Sequence, residues 1–214
     1  MSDNLADKRE NYNQGELIRE NLSEDPLNLF DRWYREAEEA NIAEPNAVAL
    51  ATSNSNGQPS ARMVLLKGFG PKGFSFYTNY TSRKAQELMQ NPQAGMMFWW
   101  KEIQRQVRIE GNVVKTTEEQ SQGYFHSRPR ESQISAWASP QSQEINEQYL
   151  EVKRNEVEKR FAGEDPLPLP HFWGGFILQP AIIEFWQGRE NRYHDRFRYR
   201  RSDDNKWTIE RLAP

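Results

Sequence analysis

The stretch K-G-F-G-P-K-G-F-S-F-Y-T-N, Lys67 to Asn79, carries the choice between two fold classes. Gly68 to Gly73 satisfies G-x-G-x-x-G, the fingerprint of a dinucleotide-binding turn, and it follows an apolar run. That fingerprint must open a helix, because the helix N-terminus binds the pyrophosphate. Here Pro71 sits inside the turn, and the next run, F-S-F-Y-T-N, reads as a strand. A hairpin fits these residues and a doubly wound nucleotide fold does not.

On the N-terminal side, A-V-A-L-A-T (47–52) and S-A-R-M-V-L-L-K (60–67) flank a polar loop and predict another hairpin. Further back, Asp25-Pro26 has the form of an N-cap followed by proline at the first helical position. Leu27, Phe30, Trp33, Tyr34 and Ala37 then recur at helical spacing, which predicts a helix over 26–41. On the C-terminal side, Ser82 is a candidate cap for a short helix, 83–91, ended by Asn91-Pro92. Strands are expected over 94–101 and 106–115, a helix from Thr117 to His126, and a long charged helix over 141–162. The proline-rich D-P-L-P-L-P (165–170) leads to four more strands: F-W-G-G-F-I-L, I-I-E-F-W-Q, Y-H-D-R-F-R-Y and K-W-T-I-E-R-L. Roughly seven to nine strands without βαβ alternation argue for a mainly β, barrel-like fold with flanking helices. Residues 1–24 are polar and aperiodic, and read as a mobile arm before a single domain, 25–214.

The formal net charge is −3 and the pI about 5.8, which disfavours a nucleic-acid partner. No apolar run approaches the ~20 residues of a membrane span, and the N-terminus lacks the layout of a signal peptide. Zero cysteines exclude disulfides and thiolate chemistry, and a cytoplasmic location is expected. Against this mildly acidic background the cations are concentrated. Residues 45–86 contain no Asp or Glu but carry Arg62, Lys67, Lys72, Arg83 and Lys84. Residues 189–201 hold six arginines and one histidine. Two such regions, far apart in sequence, point to a small anionic ligand.

T-S-R-K (81–84) places a hydroxyl and two cations at a helix start, where free N–H groups and the helix dipole attract an anion. Cations there oppose the dipole unless an anion is bound; a solvated helix start is the alternative. If 192–200 is a strand, Arg192, His194 and Arg196 share one face, Tyr193, Asp195 and Phe197 take the other, and Trp186 supplies a possible ring wall. A charged edge strand and a single-stranded nucleic-acid platform are the competing readings. Arg128, Arg130 and Ser132 follow a predicted helix exit. His126, His171 and His194 have no zinc-ligand spacing, and no G-x-S-x-G occurs, so no metal and no serine nucleophile is expected.

These segments together resemble the pyridoxine/pyridoxamine 5′-phosphate oxidase family over nearly the whole chain. The matching pieces are R-M-V-L-L-K (62–67), F-Y-T-N-x-x-S-R-K (76–84), R-Q-V (105–107), Y-F-H-S-R-P-R-x-S-Q-I (124–134), F-W-G-G-F (172–176), I-E-F-W-Q-G (183–188), R-x-H-D-R-F (192–197) and the terminal R-L-A-P. The resemblance implies an FMN-binding split β-barrel, a homodimer with flavins at the subunit interface. It implies oxidation of pyridoxine or pyridoxamine 5′-phosphate by O2 to pyridoxal 5′-phosphate and hydrogen peroxide. Carried over by position, the flavin contacts are Arg62, Met63, Val64, Leu65, Leu66, Lys67, Tyr77, Thr78, Arg83, Lys84, Gln106, Gln141, Ser142, Trp186 and Arg196. The substrate contacts are Arg9, Tyr12, Lys67, Tyr124, Arg128, Ser132, Arg192 and His194, the last two acting at the reacting end of the substrate. The alternatives are another split-barrel flavin reductase or flavin-binding protein, and a non-enzymatic polyanion binder.

Overall fold

The turn between Gly70 and Gly73 is a hairpin, and its last residue has to be glycine. Strand β3 (Gly68–Gly70) pairs antiparallel with β4 (Gly73–Asn79), Gly70 opposite Gly73, leaving Pro71 and Lys72 as the loop. Gly73 has φ +117°, and a Cβ there would collide with the Leu178 carbonyl of the next strand. This computed structural model describes residues 10–214. Arg9, expected to touch substrate, lies outside the described residues.

Nine strands and five α-helices follow one another in these residues. The helices are α1 (Pro26–Glu39), α2 (Arg83–Gln90), α3 (Glu118–Ser127), α4 (Arg130–Ala138) and α5 (Tyr149–Arg160). The remaining strands are β1 (Ala47–Ser53), β2 (Pro59–Leu65), β5 (Gln93–Trp100), β6 (Arg105–Lys115), β7 (Trp173–Gln187), β8 (Asp195–Arg201) and β9 (Trp207–Leu212). Hydrogen bonding orders the strands β2-β1-β5-β6-β7-β4-β3, with β8 joined to β7 and β9 to β8. The β4–β7, β7–β8 and β8–β9 pairs are antiparallel, as a meandering fold requires.

The chain divides into two compact units. The first holds the described residues up to Ala49, with Gly95–Glu110 and Pro180–Pro214. Its core is the apolar face of α1, started as expected by the Asp25 carboxylate accepting the Leu27 N–H at 2.9 Å. Leu29, Phe30, Trp33 and Ala37 are fully or almost fully buried. Phe30 meets Phe98 at 5.2 Å and Trp33 meets Phe185 at 5.1 Å between ring centroids. Each such ring contributes roughly 1.5–3 kcal/mol by burial. Part of the segment expected as a mobile arm packs here, with Leu17 buried.

The second unit holds Leu50–Ala94 and Gly111–Gln179. Its helical core joins Phe125, Ile134, Ala138, Val157, Phe161, Leu167 and Trp173. Leu167, expected in a linker, is fully buried, and its N–H is bound by Gln133 at 2.8 Å. Helix α3 is fixed by a capping box in which Thr117 and Gln120 satisfy each other's backbone N–H groups.

Five expectations are corrected. The two strands expected over 172–187 are one strand, β7: its residues through Leu178 pair with β4 and those from Ile182 with β8, so Pro180 falls between the two ladders. Residues 130–138 form α4, where only a helix exit was expected, and the charged helix shortens to α5. Ser82 stands at the N-cap of α2, but its hydroxyl makes no cap bond and faces Lys84 Nζ at 3.4 Å. Finally, β8 begins at Asp195 rather than at residue 192, because Asn191 and Arg192 take left-handed backbone at φ +53° and +64°.

Candidate active site

The residues preceding and following the β3–β4 hairpin line a cleft of about 940 Å³ in the second unit. Five cations face it, Arg62, Lys67, Arg83, Lys84 and Arg128, and none of its lining residues is an Asp or Glu. Residues 62–65 of β2, Tyr77, Thr78, Gln141, Ser142, Tyr124 and Ser132 also reach the cleft. Leu66 does not; it is 5% exposed, packed into the core. Alternation along an extended chain accounts for this, since neighbours of Leu66 face the cleft.

Arg62 on β2 and Arg83 at the start of α2 are held from below by one buried carboxylate. Glu87 is 5% exposed and accepts hydrogen bonds from Thr52 and Ser60, each at 2.5 Å, and from Arg83 Nε at 2.9 Å. Arg62 Nη2 lies 3.3 Å from the same carboxylate, and Arg62 Nη1 reaches Thr52 at 2.6 Å. Burial alone would raise the Glu87 pKa, but these hydroxyl and guanidinium donors overcome it and set it at about 2. Glu87 is therefore ionised at every physiological pH, fixing Arg62 and Arg83. It escaped the sequence reading although it is the first carboxylate after the acid-free interval. Its position on the buried side of α2, four residues after Arg83, was the available signal.

Lys84 is different. It is 7% exposed, yet among the described residues its ammonium finds only hydroxyls, Thr78 at 3.2 Å and Ser82 at 3.4 Å. Burial, and next the charge of Arg62, lower its pKa to about 8. Thr78 also donates to Gln141 Oε1 at 2.9 Å, which ties the 139–142 segment to β4. Ser142 closes this side in left-handed backbone, φ +73°, a conformation that costs a non-glycine residue about 1–2 kcal/mol.

The other side of the cleft is aromatic. Tyr77, Tyr124 and Trp173 form a stack, with Tyr77 and Tyr124 centroids 4.0 Å apart and Tyr77 and Trp173 5.7 Å apart. Gly175 permits it, since a Cβ there would lie 2.7 Å from Tyr77 Cε1. The Arg128 guanidinium lies 4.9 Å over Trp173, and its Nη1 is buried without a hydrogen-bond partner among the described residues. An orphaned cationic donor of this kind fits an oxyanion. Trp173 was not singled out from the sequence as a site residue; its role shows only when the stack forms.

The remaining expected site residues lie in the first unit. Trp186 on β7 has His194 at 4.6 Å, Trp99 at 5.9 Å and Tyr12 at 5.9 Å between centroids. The Arg189 N–H donates to His194 Nδ1 at 3.1 Å, which leaves the proton of the neutral ring on Nε2. Burial, then the nearby Arg192 charge, lower the His194 pKa, with Asp195 opposing, so neutrality is favoured. Arg192 projects from the left-handed turn rather than from the strand. Arg196 donates to Glu184 at 2.9 Å and to the Ala213 carbonyl at 2.8 Å. Gln106 is half-buried on β6. Among the described residues no cluster of His, Asp or Glu could hold a metal, and no helix is long and apolar enough to cross a membrane.

Mainly β, with helices flanking the sheet, the architecture is that of a split β-barrel. It overlays on PhzG from Burkholderia lata in complex with tetrahydrophenazine-1-carboxylic acid, with a TM-score of 0.86, 31% identity, and coverage of 92% of this chain and 98% of that one. A pyridoxamine 5′-phosphate oxidase-related, FMN-binding protein from Nostoc punctiforme shares the fold at a TM-score of 0.73 and 17% identity, covering 91% and 99%. Residues 34–160 match the family described as pyridoxamine 5′-phosphate oxidase, and residues 173–214 match the pyridoxine 5′-phosphate oxidase C-terminal dimerisation region. Among similar proteins, the pyridoxine/pyridoxamine 5′-phosphate oxidase of Salinibacter ruber is 52% identical over 98% of this chain and 99% of its own length. That of Microcystis aeruginosa is 49% identical over 100% of both. The chain belongs to the pyridoxamine 5′-phosphate oxidase family.

Proposed function

We propose that this protein is an FMN-dependent oxidase converting pyridoxine 5′-phosphate or pyridoxamine 5′-phosphate, with O2, to pyridoxal 5′-phosphate and hydrogen peroxide. The observation that carries the proposal is the cleft with five cations and no carboxylate on its wall. Two phosphates need two cationic sets. Arg62, Arg83 and Lys84 suit the flavin phosphate, because buried Lys84 has only hydroxyl partners. Lys67, Tyr124, Arg128 and Ser132 suit the substrate phosphate, because Arg128 Nη1 has no partner among the described residues. When bound, the flavin supplies the two-electron redox chemistry. The protein supplies orientation and electrostatics. Arg192 carries the positive charge that orients the substrate, and His194 offers its Nε2 proton to a polar group on the ring. Gln106, Gln141, Ser142, Trp186 and Arg196 are assigned to the flavin, Tyr12 and Arg9 to the substrate, and the active form to a homodimer.

A second reading is a flavin oxidase for an unphosphorylated aromatic acid, favoured by the 31% identity to PhzG crystallised with such an acid. Peroxide release measured with phosphorylated vitamers, their dephosphorylated forms and an aromatic carboxylate, with and without added FMN, separates the two. The proposal expects turnover with the phosphorylated vitamers alone. Equal turnover without the phosphate would overturn it.

A further inference from the structure

Asp195, the first residue of β8, is 4% exposed, and three segments of the first unit converge on its carboxylate. The Leu17 N–H donates to Oδ2 at 3.1 Å, Arg189 Nη1 to Oδ2 at 2.8 Å, and Arg211 Nη2 to Oδ1 at 3.1 Å. Arg189 extends the connection in two directions. Its guanidinium also reaches Glu16 at 3.3 Å, and its backbone N–H is the donor to His194 Nδ1. Upstream of Leu17, the Tyr12 ring lies 5.7 Å from His194 and packs on Gly188, where a Cβ would come within 2.9 Å of Tyr12 Cβ. The Gln14 N–H is bound by Gln104 Oε1 at 3.2 Å, a further fixed point along the same segment.

We propose that Asp195 is a positioning residue: by binding Leu17, Arg189 and Arg211 together, it clamps the N-terminal segment onto the turn that presents Arg192 and His194. The residue is assigned to neither substrate nor flavin, its carboxylate being buried among these donors. It acts through Arg189, whose N–H fixes the His194 tautomer, and through Leu17, which fixes where Tyr12 rests. The inference depends on the reading of Tyr12, Arg192 and His194 as substrate-side residues. A buried carboxylate satisfied by three donors has little freedom, so the segments it joins are ordered before any ligand arrives. That ordering lowers the concentration of ligand needed, because less of the binding free energy is used to arrange the site.

The test is Asp195→Asn, with Arg189→Met and Arg189→Lys beside it, on the FMN-loaded protein. Loss of charged hydrogen bonds of this kind should raise KM for pyridoxine 5′-phosphate about tenfold, with kcat and FMN affinity changed by less than about twofold. Arg189→Met should do the same and Arg189→Lys should restore most of the loss, which keeps the test alive if Asp195→Asn fails to fold. Trypsin supplies a readout that needs no substrate: cleavage after Arg19 should accelerate in Asp195→Asn while cleavage after Arg154 in α5 stays at the wild-type rate. An unchanged KM together with unchanged cleavage after Arg19 overturns the clamp. So does a uniform loss of flavin affinity and protease resistance, which would mark a merely structural role. A wild-type protein that oxidises no vitamer would defeat the oxidase reading instead, leaving the trypsin comparison to decide the clamp.

Discussion

Lys84 shows at the scale of one residue how burial prepares a site for an anion. An ammonium kept from water with only two hydroxyls for company is destabilised as a cation, and its pKa falls from an ordinary ~10.4 to about 8. A phosphate dianion beside it would favour the charged form and return the pKa upward. Binding above pH 8 must then take up a proton, whereas between about 6, where a phosphomonoester becomes dianionic, and 8 it need not. We expect FMN affinity to be flat over that interval and to fall as the pH rises beyond 8, by up to about tenfold per unit. Riboflavin, without the phosphate, should show no such slope, and Lys84→Met should abolish it for FMN. Fluorescence titration of both flavins across pH 6–10 checks this, and a shared slope would mean that Lys84 does not meet the phosphate. The T-S-R-K motif marked these residues as a candidate anion site because two cations at a helix start contradict the helix dipole. The carboxylate underneath offered only its spacing, four residues after Arg83, which a solvated helix acid would share until the helix is packed.

At the scale of elements, local rules decided what could be read. Helix α1 was legible from its cap, its proline and its apolar spacing, and the β3–β4 hairpin from Pro71 and the glycines. Helix α4 was not, because S-R-P-R-E-S-Q lacks an apolar stripe and its N-cap is Pro129, which offers no side-chain bond. Strand β7 hid behind Pro180, which normally breaks a strand but here falls between two ladders. The turn before β8 matters more, since Arg192, like Asn191 before it, holds left-handed backbone where residue 192 was expected to begin a strand. The face-sharing of Arg192 with Arg196 therefore fails, yet their separate assignments remain distinguishable. Arg192→Ala should reduce kcat/KM for pyridoxine 5′-phosphate by about ten- to a hundred-fold while FMN is retained. Arg196→Ala should instead weaken FMN binding and lower stability, because Glu184, 6% exposed, would lose its closest cation. Parallel measurement of FMN dissociation, thermal unfolding and steady-state kinetics decides it; an Arg192→Ala enzyme with intact kcat/KM removes this turn from the active site.

For the whole molecule, the expectation of a small anionic ligand came from where charge is absent as much as from where it is present. A chain of net charge −3 leaves 42 consecutive positions, 45–86, without an acid, and the fold gathers cations from that interval with Arg128 from beyond it into one cleft. Composition could show the imbalance; only tertiary structure could show that its cations share a wall on which no Asp or Glu stands. The consequence is kinetic. An acidic body with a cleft whose five cations outnumber the Glu87 carboxylate behind them acts as a lens for anions: the field guides a doubly charged ligand into the cleft and leaves a neutral one to arrive by unguided diffusion. Stopped-flow association rates should therefore fall with ionic strength for FMN, as the Debye length shrinks from about 30 Å at 0.01 M to about 10 Å at 0.1 M, and stay level for riboflavin. Equal salt dependence for the two would place the source of attraction elsewhere. If the lens operates, the protein scavenges cofactor and substrate from dilute solution faster than its overall charge would allow, and crowding anions such as inorganic phosphate become competitors for time as well as for space.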